Sequence, residues 1–369
     1  MNMAHLPDTQ ARETLFQDAL HCLQQLIACP SFSREEAATA CILEEFFQEK
    51  NIPTQRDKNN VWAQNQHFDP KKKTLLLCSH HDTVRPNAGY TKDPFLPQIE
   101  NGRLYGLGSN DAGASLVSLA AAFSWFYAQE NLPCNLVFAA VAEEEISGRD
   151  GVESLLPHLP QLDCALIGEP TQMQMAVAEK GLMVLDAVAQ GRAGHAAREE
   201  GENALYRALD DIQWFRTFQF PKVSEWLGPV KMSVTVIDTD NKAHNVVPDT
   251  CRFVVDVRLT DAYTPEEVLA LIRTQVSSSV QPRSMRLRAT GIPLEHPLVQ
   301  AGLRLGRKLY GSPTSSDKAL VGVPALKIGP GDSARSHTAD EYIELQELRE
   351  GINLYLEFIF NFGFLMLNF

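Results

Sequence analysis

The 369-residue sequence predicts an α/β fold with a mostly parallel central sheet, interrupted by an inserted α+β domain. Three observations lead there. In residues 1–178, short apolar runs of strand length alternate with apolar helix-forming segments, as in sheets whose strands are buried on both faces. The block 179–293 switches to alternating apolar and polar residues in the order βαββαβ. After it, ALKIG at 325–329 resumes the buried-strand pattern, so residues 294–369 rejoin residues 1–178 in one domain.

Taken in order, Leu15, Phe16, Ala19, Leu20, Leu23, Leu26 and Ile27 predict a helix over 10–28, closed by Pro30. Ser33-Arg-Glu-Glu36 reads as a capping box opening a second helix to about residue 49. TLLLCS (74–79), NLVFAAVA (135–142) and DCALIG (163–168) predict buried strands, with a helix at 113–128 between the first two. In the insert, strands fall at 181–191, 230–237, 251–259 and 285–291, and helices at 201–218 and 264–280. Thr264, Pro265 and Glu267 form the start signal of the second of these helices. This order is that of a ferredoxin-like sandwich. The tail LEFIFNFGFLMLNF is apolar but broken by Glu357 and Asn361 and too short to cross a bilayer, so it predicts a core-packing segment rather than a membrane anchor.

Composition narrows the function classes. Hydrophobic residues at 44% and charged residues at 21% predict a packed globule. A formal charge of −13 argues against sequence-independent nucleic-acid binding, and the one dense basic run, Lys71 to Lys73, reads as a solvated turn. The seven cysteines are odd in number and contain no CxxC, which predicts reduced thiols in a cytoplasmic protein. MNMAHLPDTQ lacks the pattern of a signal peptide.

The chemistry-bearing residues sit where the predicted strands end. His80-His81-Asp82, Glu143-Glu144-Glu145 and Glu169 each follow a buried run, and His337 lies a few residues beyond ALKIG. Carboxyl ends of parallel strands share one edge, where α/β domains bind ligands. Asp111 ends YGLGSND, directly before a helix, and a carboxylate there can bridge two cations. Two histidines and three carboxylates are the usual supply for a pair of hydrolytic zinc ions. GLGSND is no dinucleotide loop, because Asp111 stands where the third glycine belongs. Neither GxSxG nor HExxH occurs. Which of His80 and His81 is the ligand, and which two of the three glutamates act, stay open on spacing alone.

Together these segments resemble the zinc metallopeptidase and aminoacylase family that includes acetylornithine deacetylase, succinyl-diaminopimelate desuccinylase and glutamate-releasing carboxypeptidases. The matching stretches are Ser79 to Val84, Gly106 to Asp111, Ala142 to Glu145, Ile167 to Thr171, Gly191 to His195, Asn245 to Asp249, and Gly329-Pro-Gly331 leading to His337. EKGLMV and SHTADEYI bring the chain nearest the acetylornithine deacetylase-like enzymes. The resemblance implies a zinc-peptidase-like catalytic domain with an inserted lid and dimerisation domain. It implies two zinc ions per subunit, cobalt suiting the same ligands: His80 and Glu169 on one, Glu145 and His337 on the other, Asp111 between them.

By the same resemblance Glu144 is the general base and Asp82 orients His80. Strand geometry agrees on the latter, since residues i and i+2 point the same way and His81 faces elsewhere. The family's usual Asp-Glu-Glu here begins with Glu143, yet Ile-Ser-Gly after Glu145 keeps base and ligand at 144 and 145. The resemblance assigns His195, supplied by the neighbouring subunit of a homodimer, to the oxyanion, and Asn245 and Arg258 to the substrate carboxylate. Lys318 and Arg335 are basic residues open to a second anionic group, but SSDK matches the family poorly and they stay unassigned. The implied reaction removes an acetyl or succinyl group from a small N-acyl amino acid, with N-acyl-ornithine or N-acyl-citrulline of arginine synthesis foremost. A succinyl-diaminopimelate desuccinylase or a metallo-dipeptidase is the alternative enzyme, and a catalytically silent metal-binding protein the alternative outside enzymes.

Overall fold

The structure, a computed structural model, describes residues 4–198 and 200–366. It divides into two compact units: Ala178–Gly291 with Gly311–Ser315, and the rest of the chain.

In the larger unit the strands Asn135–Val141, Thr74–His80, Cys164–Ile167 and Ala325–Lys327 lie side by side and parallel, in that order. These are the four buried runs the sequence predicts, and every residue in them is buried. Alternate side chains explain why both faces must be covered. Leu76, Cys78, Val137, Ala139, Ala165 and Ile167 pack with Val152, Leu155 and Val321 on one side. On the other lies helix Ala114–Phe126, itself packed against helices Thr9–Ile27 and Leu345–Met366. Antiparallel strands that the patterning did not single out flank this parallel core: Asn60–Gln64 and then Gln55–Asp57 on one side, Met175–Glu179 on the other.

The apolar tail is core, as its pattern predicts. Leu348, Ile352, Tyr355, Leu356, Ile359 and Phe362 recur on one buried face of helix Leu345–Met366, and the Tyr355 hydroxyl donates to the Ile328 carbonyl. The last three residues of the tail lie outside the described ones. Among the described residues no helix is long and apolar enough to cross a membrane.

The smaller unit carries a four-stranded antiparallel sheet in the order Lys231–Asp238, Thr250–Leu259, Gly181–Gln190, Ser279–Pro282. Cys251, Phe253, Val255 and Val257 alternate onto the face that packs with Ala204, Ala208 and Phe215 of helix Ala204–Thr217 and Val268 and Ile272 of helix Pro265–Gln275. The βαββαβ order is the one read from the sequence, but its last steps differ. The second helix stops at Gln275 rather than 280, and the fourth strand is Ser279–Pro282 rather than 285–291. Asp211 is the reason: its carboxylate accepts from the backbone N–H and the hydroxyl of both Ser277 and Ser278, drawing the chain out of the helix. Gly311–Ser315 also belongs to this unit rather than to the other, because the Lys180 N–H donates to the Ser312 carbonyl and the Ser315 hydroxyl to the Lys180 carbonyl.

The capping box expected at Ser33 is absent. Glu36 is the residue before helix Ala37–Gln48 and makes no side-chain cap there. Its carboxylate accepts instead from the backbone N–H groups of Arg34 and Glu143 and from Asn59. The Ser33 hydroxyl goes to Asp82, at 2.7 Å. A local cap contributes only about 1 kcal/mol, less than leaving a buried carboxylate short of donors would cost.

Candidate metal centre

Four parallel strands end at one edge, and the residues just beyond them meet. His80 closes strand Thr74–His80 with its imidazole 1% exposed. Its Nδ1 lies 3.0 Å from the Asp82 carbonyl oxygen and 3.4 Å from Asp82 Oδ1, which leaves Nε2 to face the cluster. Nε2 is 3.3 Å from Asp111 Oδ1 and 3.9 Å from Glu169 Oε1. The other Asp111 oxygen, Oδ2, is 3.6 Å from His337 Nε2, which in turn lies 3.0 Å from Glu145 Oε2. Asp111 therefore presents one oxygen to His80 and the other to His337. Two sets of donor atoms each lie within 4.8 Å of one another: His80, Asp111 and Glu145, and His80, Glu144 and Glu169.

His81 is occupied elsewhere. Its Nδ1 lies 2.9 Å from the Thr39 hydroxyl and its Nε2 3.0 Å from the Asn59 carbonyl, and burial pushes it down to about pKa 4. A neutral ring with both nitrogens engaged has no lone pair left for a cation. Glu143 is likewise turned away. Its φ is +56°, its carboxylate lies 3.7 Å from Arg34 Nε, and its N–H goes to Glu36. Glu144 and Glu145 are the two whose carboxylates enter the cluster.

Asp82 does more than the i, i+2 pairing suggested. Its Oδ1 accepts the Glu144 N–H at 3.0 Å and its Oδ2 the Glu145 N–H at 3.1 Å, beside the Ser33 hydroxyl. One fully buried carboxylate thus orients His80 and anchors the turn that carries Glu144 and Glu145. Burial would raise its pKa, but His80, Ser33 and the Glu145 amide hold it below the usual value. Glu144 is pushed well above the ordinary glutamate range, by burial first, then by Glu169, Asp317 and Glu145 against the opposing charge of His80.

The donor set fits divalent cations. Nitrogen and carboxylate oxygen converge with a bridging aspartate between two histidines, a second-sphere carboxylate fixes one imidazole, and no thiol or soft ligand is present in it.

Comparison with known proteins agrees. The model of Peptidase family M20/M25/M40 matches residues 76–361. The chain belongs to this family. It is accordingly a metal-dependent hydrolase of amide bonds. Among relatives of this M20-type chain, Succinyl-diaminopimelate desuccinylase 2 of Ruegeria sp. (strain TM1040) is 26% identical over 271 residues, 68% of each chain. The succinyl-diaminopimelate desuccinylase of Dinoroseobacter shibae is 28% identical over 275 residues, 69% of this chain and 72% of that one. In fold the chain is similar to a tripeptidase of Staphylococcus aureus (TM-score 0.77, 20% identity, 94% and 98% of the chains covered). It is also similar to an M20 family metallo-carboxypeptidase of Sulfolobus solfataricus (TM-score 0.74, 17% identity, 94% and 99% covered).

The remaining predicted residues of this M20 chain fall as follows. His195 and Asn245 lie in the smaller unit and are neighbours there: His195 pairs with Val246, and the Ala196 N–H donates to the Asn245 carbonyl. Both are exposed. Arg258 donates from Nε and Nη2 to the Asp256 carboxylate, at 2.8 and 3.0 Å, and the Nη1 side of its guanidinium takes no part in that pair. Arg335 is locked to Glu347 and stacked over Tyr342, and the buried Lys318 ammonium donates to the Ala176 and Val177 carbonyls. These contacts do not bear on the cluster. Two residues that sequence reasoning missed do. The Asn110 side chain accepts from the Asp332 N–H and donates to the Asp332 carbonyl, tying the Asp111 turn to the loop that leads to His337. Gly331 there has φ +88°, and a Cβ on it would lie 2.4 Å from the Asn110 oxygen, so glycine is required. The other is Glu341, which lies inside SHTADEYI but whose partners are far along the chain.

Proposed function

We propose that this chain hydrolyses the amide of an N-acyl amino acid, releasing acetate or succinate and the free amino acid, with N-acyl-ornithine or N-acyl-citrulline of arginine synthesis as substrate. The observation that carries the hydrolytic part is Asp111, with its two oxygens set toward His80 and His337 and Glu144 in the same cluster. EKGLMV and SHTADEYI support the ornithine-type substrate. The names of the two relatives support a succinyl group and keep a diaminopimelate substrate as the second reading.

In this reading His80 and Glu169 would hold one cation and Glu145 and His337 the other, with Asp111 turned toward both histidines. Two zinc ions held there (cobalt suits the same ligands) would supply polarisation of the amide carbonyl and a more acidic water. Glu144 takes the proton that water loses as its oxygen attacks the carbonyl carbon. When the C–N bond breaks, Glu144 returns that proton to the departing amine nitrogen. Asp82 keeps both the His80 ring and the Glu144 turn in place throughout. The seven cysteines, none of them in a disulfide, suit a cytoplasmic setting.

A panel of acetyl- and succinyl-ornithine, -citrulline and -diaminopimelate, with dipeptides as a control, tests the substrate on cation-loaded protein. Release of amine from the ornithine or citrulline compounds, at rates well above the others, is the expected result. Turnover of dipeptides alone would overturn the biosynthetic reading, and no turnover of any amide would favour a silent protein.

The oxyanion donor in this reading is His195 of a second copy of the chain. Tyr206 and Leu209 on helix Ala204–Thr217 and Val236 and Ile237 on edge strand Lys231–Asp238 are exposed apolar residues, the kind of surface a homodimer through the smaller unit would cover. His195→Ala should lower kcat by about 10²–10³-fold. Co-expressing His195→Ala with Glu144→Gln should restore turnover, because mixed dimers then contain one complete site. A sample in which mixed dimers form but stay as inactive as each variant alone would rule out sharing of the site.

A further inference from the structure

We propose that Glu341 is a positioning residue that presets the bridging carboxylate Asp111 before any cation arrives. Glu341 stands just ahead of strand Tyr342–Glu344 and is 2% exposed. Its Oε1 accepts the backbone N–H groups of Asn110 and Asp111, each at 2.9 Å, and its Oε2 that of Gly108 at 3.1 Å. The Gly106 N–H donates to the Glu341 carbonyl at 3.0 Å, so the whole Gly106–Asp111 turn is wrapped around this one residue. Gly108 makes the wrap possible: its φ is +76°, and a Cβ there would meet Thr83 Cγ2 at 2.6 Å.

The arrangement calls for a carboxylate rather than an amide. Donors converge on both oxygens, and a glutamine would turn its NH₂ toward one of the N–H groups it is meant to accept. Through Asn110, which is bonded on both sides of Asp332, the carboxylate also registers the loop that leads to His337. Glu341 touches no reacting atom; it acts through Asp111.

This inference rests on the ligand assignment and not on any substrate, and its readouts are binding and exchange, so failure of the hydrolase reading would leave it testable. In Glu341→Gln, cation affinity measured against a competing chelating dye should fall about 10–100-fold, with kcat reduced and KM little changed in any substrate that is turned over. Wild-type cation affinity in that variant, whatever its melting temperature, would show a purely structural role and overturn the proposal. The unsubstituted protein gives a second test that does not depend on the variant folding. Stripped of cations, its Gly108, Asn110 and Asp111 amides should already be protected from hydrogen exchange. Exchange at open-loop rates until cations are added would equally overturn it.

Discussion

Glu144→Gln is expected to lower kcat by about 10²–10⁴-fold, the range a positioned general base contributes, while bound cation stays at the wild-type amount. Glutamine keeps the length of the side chain and cannot take a proton from water. The turn that presents residue 144 would survive the change, because it is held through the backbone: Asp82 accepts the N–H of residues 144 and 145, and the Ser147 N–H donates to the Glu144 carbonyl. His80, Asp111 and Glu145 keep their donor atoms. Steady-state rates together with elemental analysis of the same sample check both halves. Full activity in the variant would remove Glu144 from the mechanism. Equal loss of metal and rate would recast it as a ligand, a reading its place beside His80 and Glu169 makes specific.

Removing the cations should abolish turnover, and adding zinc or cobalt should restore it. It should also lower the melting temperature, since a ligand present at about 1,000 times its Kd contributes roughly 4 kcal/mol to the folded state. Proton uptake accompanies the loss. In the cation-free chain the hydrogen bond to Glu145 raises His337 to about 9. Burial opposes the charge on His80, yet Asp111 and Asp82 carry its pKa well above the ordinary histidine value. His337 is therefore largely protonated at neutral pH without cations and His80 is shifted the same way, so a cation must displace protons, affinity should rise with pH and binding should release acid. For the stripped protein the sign is the reverse. A histidine whose folded pKa is raised contributes stability that is complete below the unfolded value, about 6.5, and is lost as pH rises through about 9. The His337 side chain is 54% exposed, which keeps that contribution small. Calorimetric titration of stripped protein in buffers of different ionisation enthalpy reads the protons directly. A stripped enzyme that keeps its full rate would end the metal-dependent account.

Much of this was legible because it is short-range. Four runs such as LLLC and LVFAAV can be satisfied only between two covered faces, and the acids and histidines that follow them mark the edge they share. The period of the insert betrayed its one-sided sheet, and the repeat of Leu348, Ile352, Tyr355, Leu356 and Ile359 betrayed a core helix. Where prediction failed, a distant carboxylate had taken over. Asp82 drew Ser33 away from a helix start that its own sequence advertises, and Asp211 pulled Ser277 and Ser278 out of a helix that periodicity would have continued.

The parallel core, the switch to a one-sided antiparallel sheet and the chemical types gathered at the sheet edge are readable along the chain, because apolar periodicity and strand ends are properties of neighbouring residues. Which charged groups pair with which depends on the folded chain: Glu143 turns to Arg34, Arg258 pairs with Asp256, and Glu341 gathers the amides around Asp111. A buried carboxylate takes whatever donors the fold brings within about 3 Å of it. In this chain those donors lie up to 233 residues away, at Gly108 for Glu341, beyond the reach of any local pattern.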